Sequence, residues 1–449
     1  MMRPVALLVL TLLPVVLSAA DSWWKVYGDP QLDALVEKAL TANVDLQSAT
    51  QRIAEARALR GGSRSALLPS LDVTGSAQRL RGGFQQGVVR IPRASGEVAG
   101  GTFVAPFETN IFSGGLDMKW ELDLFGGNRA ALAASSADVQ AEAQLREDLA
   151  ISVSAEVART YLELRGAEER LLITQRSRDT QADVLGLTKT RAEAGLATQL
   201  DVERQETLLA NTEANLPALE NERVLRLTRL AVLTTDQSLV TRPLATPSAV
   251  VSPKLDATGI DSTLLRRRPD VRAAETRIQA ALSRLRVARS DLYPKINLNG
   301  LLGRQSTTVS GLSLGGGNFF SIGPQLTLPI FSGGRIRSNI AVNDARVEQA
   351  RLTYQNEILL AFEEAEKAIS GYRQQQARTA KLDAAVSSSA RSLELSRELN
   401  TAGIEDFLTV LDAQRSVFDA ELQRSESNTT ALVESVRLYK ALAGGWPQP

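Results

Sequence analysis

Histidine and cysteine are both absent from this 449-residue chain. That removes imidazole acid–base catalysis, thiol nucleophiles, disulfides and Cys/His metal sites together. What remains for chemistry is carboxylates, hydroxyls and amines. The most ordered carboxylates stand in Asp117-Met118-Lys119-Trp120-Glu121-Leu122-Asp123, where every second side chain is charged. Alternation of this kind builds one wet face, not a catalytic cluster. Serines are plentiful, but no nucleophile motif surrounds them. Gly100-Gly101 and Gly315-Gly316-Gly317-Asn318 lie between strand patterns and open no helix, so they lack the arrangement that cradles phosphate. No catalytic residue, cofactor or metal is expected, and the chain does not read as an enzyme. Lys plus Arg (51) balance Asp plus Glu (51), so no strong field marks nucleic acid as a partner.

The charged residues Asp117, Lys119, Glu121 and Asp123 interleave with Leu116, Met118, Trp120, Leu122 and Leu124. The first set predicts a water-lined face and the second an oily one. A second alternating stretch places Phe320, Ile322, Leu326, Leu328 and Ile330 against Ser321, Gln325 and Thr327, with Pro324 and Pro329 weakening its ladder. Shorter alternation surrounds Leu71 and Val73, and again Ile296 and Leu298. The chain thus carries four strands, and the Gly/Ser-rich segments Arg81 to Thr109 and Ser306 to Asn318 read as the loops between them.

These strands belong to a duplicated plan. Leu68-Pro69-Ser70-Leu71-Asp72-Val73 is echoed by Tyr293-Pro294-Lys295-Ile296-Asn297-Leu298, and Phe125-Gly126-Gly127-Asn128-Arg129 by Phe331-Ser332-Gly333-Gly334-Arg335. A first helix is predicted from Gln31 to Arg60, and its counterpart starts at Pro269-Asp270. Each glycine pair is followed by a very long helix, Arg129 to Ala194 and Arg335 to Thr401, on the order of 100 Å at 1.5 Å per residue. Ile358, Phe362, Ala365, Ile369 and Tyr372 form a heptad seam in the second of these. Each long helix reverses at a glycine, Gly195 or Gly403, into a returning helix, and Pro217 is expected to kink or break the first return.

Residues 1–20 read as an export signal: basic Arg3, apolar Val5 to Leu17, then small Ser18-Ala19-Ala20, with cleavage before Asp21. The first repeat spans 21–235 (strands about 70–124, helices about 128–233). A link at 236–262 carries Pro243, Pro247 and Pro253. The second repeat spans 263–449 (strands about 295–330, helices about 334–443). No other stretch is apolar enough for a membrane helix, so any crossing is by β-barrel. Four strands cannot close one, because single-chain barrels start at eight. Sister copies must complete it: a dimer supplies eight strands and a trimer twelve, the latter with a wider lumen.

The ordered motifs Trp23-Trp24, Asp29-Pro30-Gln31-Leu32, Trp120-Glu121-Leu122-Asp123-Leu124-Phe125-Gly126, Arg267-Arg268-Pro269-Asp270-Val271, Pro329-Ile330-Phe331-Ser332-Gly333-Gly334-Arg335, Phe407-Leu408-Thr409-Val410-Leu411-Asp412 and Leu438-Tyr439-Lys440-Ala441-Leu442 resemble the outer-membrane factors, the TolC-like channels, in their NodT-type branch. The resemblance covers nearly the whole mature chain. It implies a mainly α fold with a membrane β-barrel: a homotrimer whose twelve strands form the barrel and whose coiled-coil helices form a periplasmic tunnel. It also implies docking to a periplasmic adaptor (membrane fusion) protein and an inner-membrane transporter, with outer-membrane lipid around the barrel.

By position, the same resemblance assigns Leu408 and Asp412 to a periplasmic gate, and Asp201 to an acid that locks it in some relatives. The relatives' Tyr and Arg lock partners correspond to Asn400 and Glu405 here. A second acidic ring, at Thr409, is absent. Gly195-Leu196-Ala197-Thr198 and Gly403-Ile404-Glu405-Asp406 are the implied adaptor-contacting tips. Ala20 stands where many relatives carry a lipidated Cys, so no acyl anchor is expected. The preferred reading is a passive outer-membrane exit duct for small molecules and drugs. A duct for secreted polypeptides is the alternative, and a pore-free periplasmic coiled-coil scaffold is a more distant one.

Overall fold

The computed structural model describes residues 19–92, 98–242, 253, 266–309 and 312–443. Most of the expected export signal, most of the 236–262 link and the terminal Gly444 to Pro447 lie outside the described residues. After a 3-10 segment (Ala19–Tyr27) come α1 (Pro30–Ala42), α2 (Val44–Ser65), β1 (Ser70–Pro92), β2 (Val98–Leu122), α3 (Gly127–Glu193) and α4 (Gln199–Thr234). A second 3-10 turn (Gln237–Val240) precedes α5 (Pro269–Ser290), β3 (Lys295–Val309), β4 (Leu312–Thr327), α6 (Arg335–Thr401) and α7 (Phe407–Ala441). Two compact units result. One holds residues 54–140 and 275–352; the other holds 1–53, 141–274 and 353–449.

The first unit contains the sheet, four antiparallel strands in the order β1-β2-β3-β4. Its register puts Val73, Leu116 and Leu302 in one row and Leu71 and Met118 in the next. Trp120 pairs with Leu298, Leu122 with Ile296, and Leu302 with Phe320. One face is therefore apolar across all four strands, with Val73 84% and Phe320 72% exposed. Along β2 it runs from Leu122 to Phe112, about 35 Å of strand or about 25 Å of height at a barrel tilt, the thickness of a membrane's apolar band.

The described residues of the segments expected to be loops are strand instead. β1 and β2 stay in register from Ser70↔Lys119 to Pro92↔Val98, with one irregularity between Gly82 and Phe84. β3 and β4 likewise pair through Ser306↔Gly316. Composition argued for loops, but once the alternating segments fix the register, continued pairing satisfies the backbone N–H and C=O groups. Pro324 stands on β4, an edge of this sheet, where a missing N–H is tolerated.

The second unit is helical. Trp23, Trp24 and Tyr27 pack with Leu32, Val36, Tyr161, Leu230 and Val436, joining the start of the chain to α1, α3, α4 and α7. Trp23 stacks on Tyr439 at 5.3 Å, and the Tyr27 hydroxyl meets Ser435 Oγ at 2.6 Å. The predicted first helix is divided at Asn43, whose extended backbone (ψ 129) ends α1. Its side-chain oxygen accepts from the N–H groups of Asp45 and Leu46, and its Nδ2 donates to Leu233 O. Pro217 does not break α4, which runs unbroken around it. Buried Val202 and Thr212 before the proline, and Leu227 and Leu230 after it, hold both halves in place.

In α6 the buried stripe is Ala361, Ala365, Ala368, Ile369 and Tyr372. Phe362, expected on the seam, is 51% exposed, because the small alanines form the close contact and leave its ring outside.

Pro269 opens α5 as expected. Beside it, the buried Arg268 donates to Asp270 (2.8 Å), to Glu364 (2.8 Å) and to Ala441 O (3.0 Å), joining α5, α6 and α7. Removing this buried guanidinium takes away the donor of Ala441 O and the guanidinium partner of both carboxylates, leaving Glu364 with Lys440 at 3.6 Å and Asp270 with Val271 N. Arg268→Met should destabilise the protein by about 3 kcal/mol, read as a lowered thermal midpoint by circular dichroism in detergent. An unchanged midpoint would remove Arg268 from this role.

Candidate functional site

The sheet carries the first set of predicted residues. Asp117, Lys119 and Glu121 share the face opposite the apolar one. With Asn297, Asn299 and Gln325 they line a recess of about 860 Å³. Lys119 and Asp117 pair at 3.3 Å, and Asn299 donates to Gln325 at 2.9 Å. This face has donors, acceptors and both charge signs, which suits passage of water and polar solutes. Leu116, Met118, Trp120 and Leu122 occupy the apolar face.

The predicted alternation fails at its last two residues. β2 ends at Leu122, so Asp123 does not line the recess and Leu124 is not on the apolar strand face. The Asp123 carboxylate accepts from the N–H groups of Asn128 (3.2 Å) and Arg129 (2.8 Å) and from Arg129 Nε (3.1 Å). It caps the positive end of α3. An acid shortly before a Gly-Gly helix start was the available signal, masked by the strand pattern running into it.

The two helix reversals carry the second set. Gly195 and Gly403 both have φ 72, the left-handed region that favours glycine. At each, two backbone bonds close the helix end: Leu196 N to Arg191 O (2.8 Å) with Gly195 N to Ala192 O (3.0 Å), and Ile404 N to Leu399 O (2.9 Å) with Gly403 N to Asn400 O (3.0 Å). This is the Schellman arrangement, built twice. It leaves Leu196 74% and Ile404 72% exposed, one apolar side chain at each tip.

The tips differ in how the next helix starts. Thr198 and Asp201 form a reciprocal capping box. The Asp201 carboxylate accepts from Thr198 N (2.9 Å) and Oγ1 (2.7 Å), and Thr198 Oγ1 accepts from Asp201 N (3.3 Å). At the other tip Asp406 is the N-cap with no side-chain cap bond. There Thr409 donates to Glu405 Oε2 at 2.9 Å, and Asn400 Nδ2 donates to Glu405 O at 2.9 Å. Asn400 and Glu405 thus close their own turn, and Asp201 closes its own helix start. These local bonds were not read from the sequence, although Thr-x-x-Asp before a helix is a capping pattern.

Leu408 and Asp412 are both exposed. With Arg415 and Asp419 they form one stripe on α7, while Val410 and Ala413 on the far side are buried. The Asp412 carboxylate has no hydrogen bond or ion pair among the described residues.

The Thr198 hydroxyl and N–H hold the Asp201 carboxyl below the usual carboxylate range. A depressed folded pKa stabilises the helix start above the unfolded value of about 4 and loses that support as pH falls through the folded value. Amide protection in the first turn of α4, corrected for intrinsic exchange, should therefore drop in acid below about pH 4. Asp201→Asn should remove that acid dependence. Protection that does not change with pH in the unsubstituted protein would refute the cap.

The outer membrane efflux protein family matches residues 35–235 and 261–444. Relatives include the pyoverdine export outer membrane protein OpmQ of Pseudomonas putida, 32% identical over 94% of this chain and 88% of that one. The outer membrane protein OprJ of Pseudomonas aeruginosa is 32% identical over 95% of this chain and 86% of its own. Among solved structures, the outer-membrane channel OprN is 31% identical with a TM-score of 0.79, covering 94% of this chain and 92% of that one. The Campylobacter jejuni CmeC outer membrane channel has a TM-score of 0.82 at 25% identity, covering 95% and 88%. The TolC-like fold expected from the motifs is the fold these channels share. The chain belongs to the outer membrane efflux protein family and, with it, to the outer membrane.

Proposed function

We propose that this protein is the trimeric exit duct of a tripartite efflux system, passing small molecules from an inner-membrane transporter to the outside. The observation that carries the reading is the sheet: four strands, an apolar face of membrane thickness, a polar face opposite, and two open edges at β1 and β4. Three copies give twelve strands, enough for a closed barrel with a water-filled lumen. Asp117, Lys119 and Glu121 would line that lumen. Exposed Val342, Leu352, Leu359 and Phe362 on α6 give sister copies apolar surface to cover.

Leu196 and Ile404, set on rigid turns, are the side chains a periplasmic adaptor would seat. The unpaired Asp412 and the neighbouring Leu408 supply the constriction, as a ring of three carboxylates beside an apolar ring. Asp201 acts here as a cap, and a lock made through it would first have to break the capping box. Small molecules are favoured as cargo because related proteins are named for pyoverdine export and toluene efflux.

Asp412→Ala should raise single-channel conductance in a planar bilayer, and unchanged conductance would take Asp412 out of the gate. Leu196→Asp combined with Ile404→Asp should abolish export-dependent drug tolerance while heat-sensitive trimers persist in detergent. Full tolerance in that double variant would rule out the tips as the adaptor contact.

A further inference from the structure

A second cavity, of about 440 Å³, lies where the central strands meet their helices. It is lined by Arg129 and Ala133 of α3, Arg286 and Arg289 of α5, and the ring pair Phe125 and Tyr293. The rings stack at 4.9 Å and 10°, just past the end of β2 and just before β3. β2 and β3 are inner strands, so the cavity is clear of the edges where sister copies would join.

Its side of the wall is set by α3. Asn128 belongs to the polar recess, whereas Arg129, Ala130 and Ala133 lie roughly 150° round the helix from it on average. The cavity therefore opens on the side of the apolar strand face. It continues that face with two half-exposed aromatic rings, the residue type that marks membrane–water boundaries.

Its charge is unbalanced. Arg129 is held by Asp123 at 3.1 Å. Arg289 reaches Asp344 only at 4.0 Å, with both side chains well exposed. Arg286 has no ion pair among the described residues. One guanidinium without an ion pair among the described residues and one in a long, exposed pair thus border a cavity that Ala130, Ala133 and the two rings also line. Guanidinium forks match phosphate oxygens, and the alanine and aromatic lining suits the glycerol and first methylenes of a lipid.

We infer that Arg286 and Arg289, lining one cavity with the Phe125–Tyr293 stack, bind the phosphate head group of an anionic glycerophospholipid from the periplasmic leaflet of the outer membrane. The leaflet assignment rests on the proposed barrel. One such lipid per chain would fix the depth of that barrel at the level where strand becomes helix.

The test uses the full-length protein purified in detergent. Its thermal midpoint and retained lipids, by native mass spectrometry, are compared with added phosphatidylglycerol, phosphatidylcholine or inorganic phosphate. Phosphatidylglycerol should be retained roughly tenfold better than phosphatidylcholine, the preference expected of one to two interfacial arginines. Arg286→Gln with Arg289→Gln should bring the two lipids close to parity. Equal retention of both by the unsubstituted protein would overturn the site without recourse to any variant. So would an equal thermal shift from inorganic phosphate, which would mean a free-anion site. Conductance in phosphatidylcholine bilayers separates the two ideas: channels there with no lipid preference refute the lipid site alone, whereas no channels in any bilayer refute the duct.

Discussion

Backbone hydrogen bonding at the two sheet edges is the constraint on which this architecture turns. β1 and β4 each offer a row of N–H and C=O groups with no strand beyond them. In water such edges are tolerable. In hydrocarbon each unmet group costs several kcal/mol, far more than the apolar face could recover if the sheet stayed open. The exposure of Val73, Ile322 and Leu326 on that face makes sense only where lipid replaces water. Closure with identical copies would satisfy the edges and put the polar face around an aqueous lumen in the same step. Such an oligomer would in this sense be a consequence of hydrogen bonding before it is a matter of interface affinity.

The duplicated plan is visible in how each helix pair reverses. The same two backbone bonds and the same left-handed glycine recur at Gly195 and Gly403. Such turns depend on local sequence alone, so duplication preserved them. The helix starts beyond the two turns have diverged. One tip consumes its acid, Asp201, in a capping box; the other leaves Asp406 without a cap bond and Asp412 without a side-chain partner among the described residues. Two copies of one scaffold thus present different helix-start electrostatics to whatever meets them.

Period-two alternation in residues 116–122 and the glycine reversals were legible in the sequence because each depends on neighbours a few positions away. The features that escaped it depend on partners far along the chain. The β1–β2 ladder beyond Leu80 has no compositional signature; it exists because the register was already set below it. Asp123 satisfied a strand pattern and a helix cap equally well, and the Gly-Gly start of α3 decided between them. Pro217 remains inside α4 because the unit's core grips the helix on both sides. Phe362 lost its place on the seam to alanines, since close helix approach favours the smaller residue.

The helical unit is unevenly held, and the unevenness bears on how a partner could open it. Around Trp23, Trp24, Tyr27, Tyr161 and Tyr439 the core is aromatic and aliphatic, and its rings stack or hydrogen-bond to buried groups. Along α3 and α4 toward the first tip the buried residues are mostly polar, Gln181, Thr188, Gln205 and Thr212, with Val202 the apolar one among them on α4. Gln205 donates to Gln181 O at 3.0 Å, but the side-chain oxygens of Gln181 and Gln205, and of Gln414 on α7, have no partner among the described residues. Separating such segments exposes little apolar surface and breaks few satisfied bonds, while separating the aromatic region would expose large rings. Local stability follows that difference. Force applied at Leu196 is therefore resisted least by the parts of α3 and α4 nearest that tip, while the aromatic core holds the middle of α3 and the far end of α4 in place.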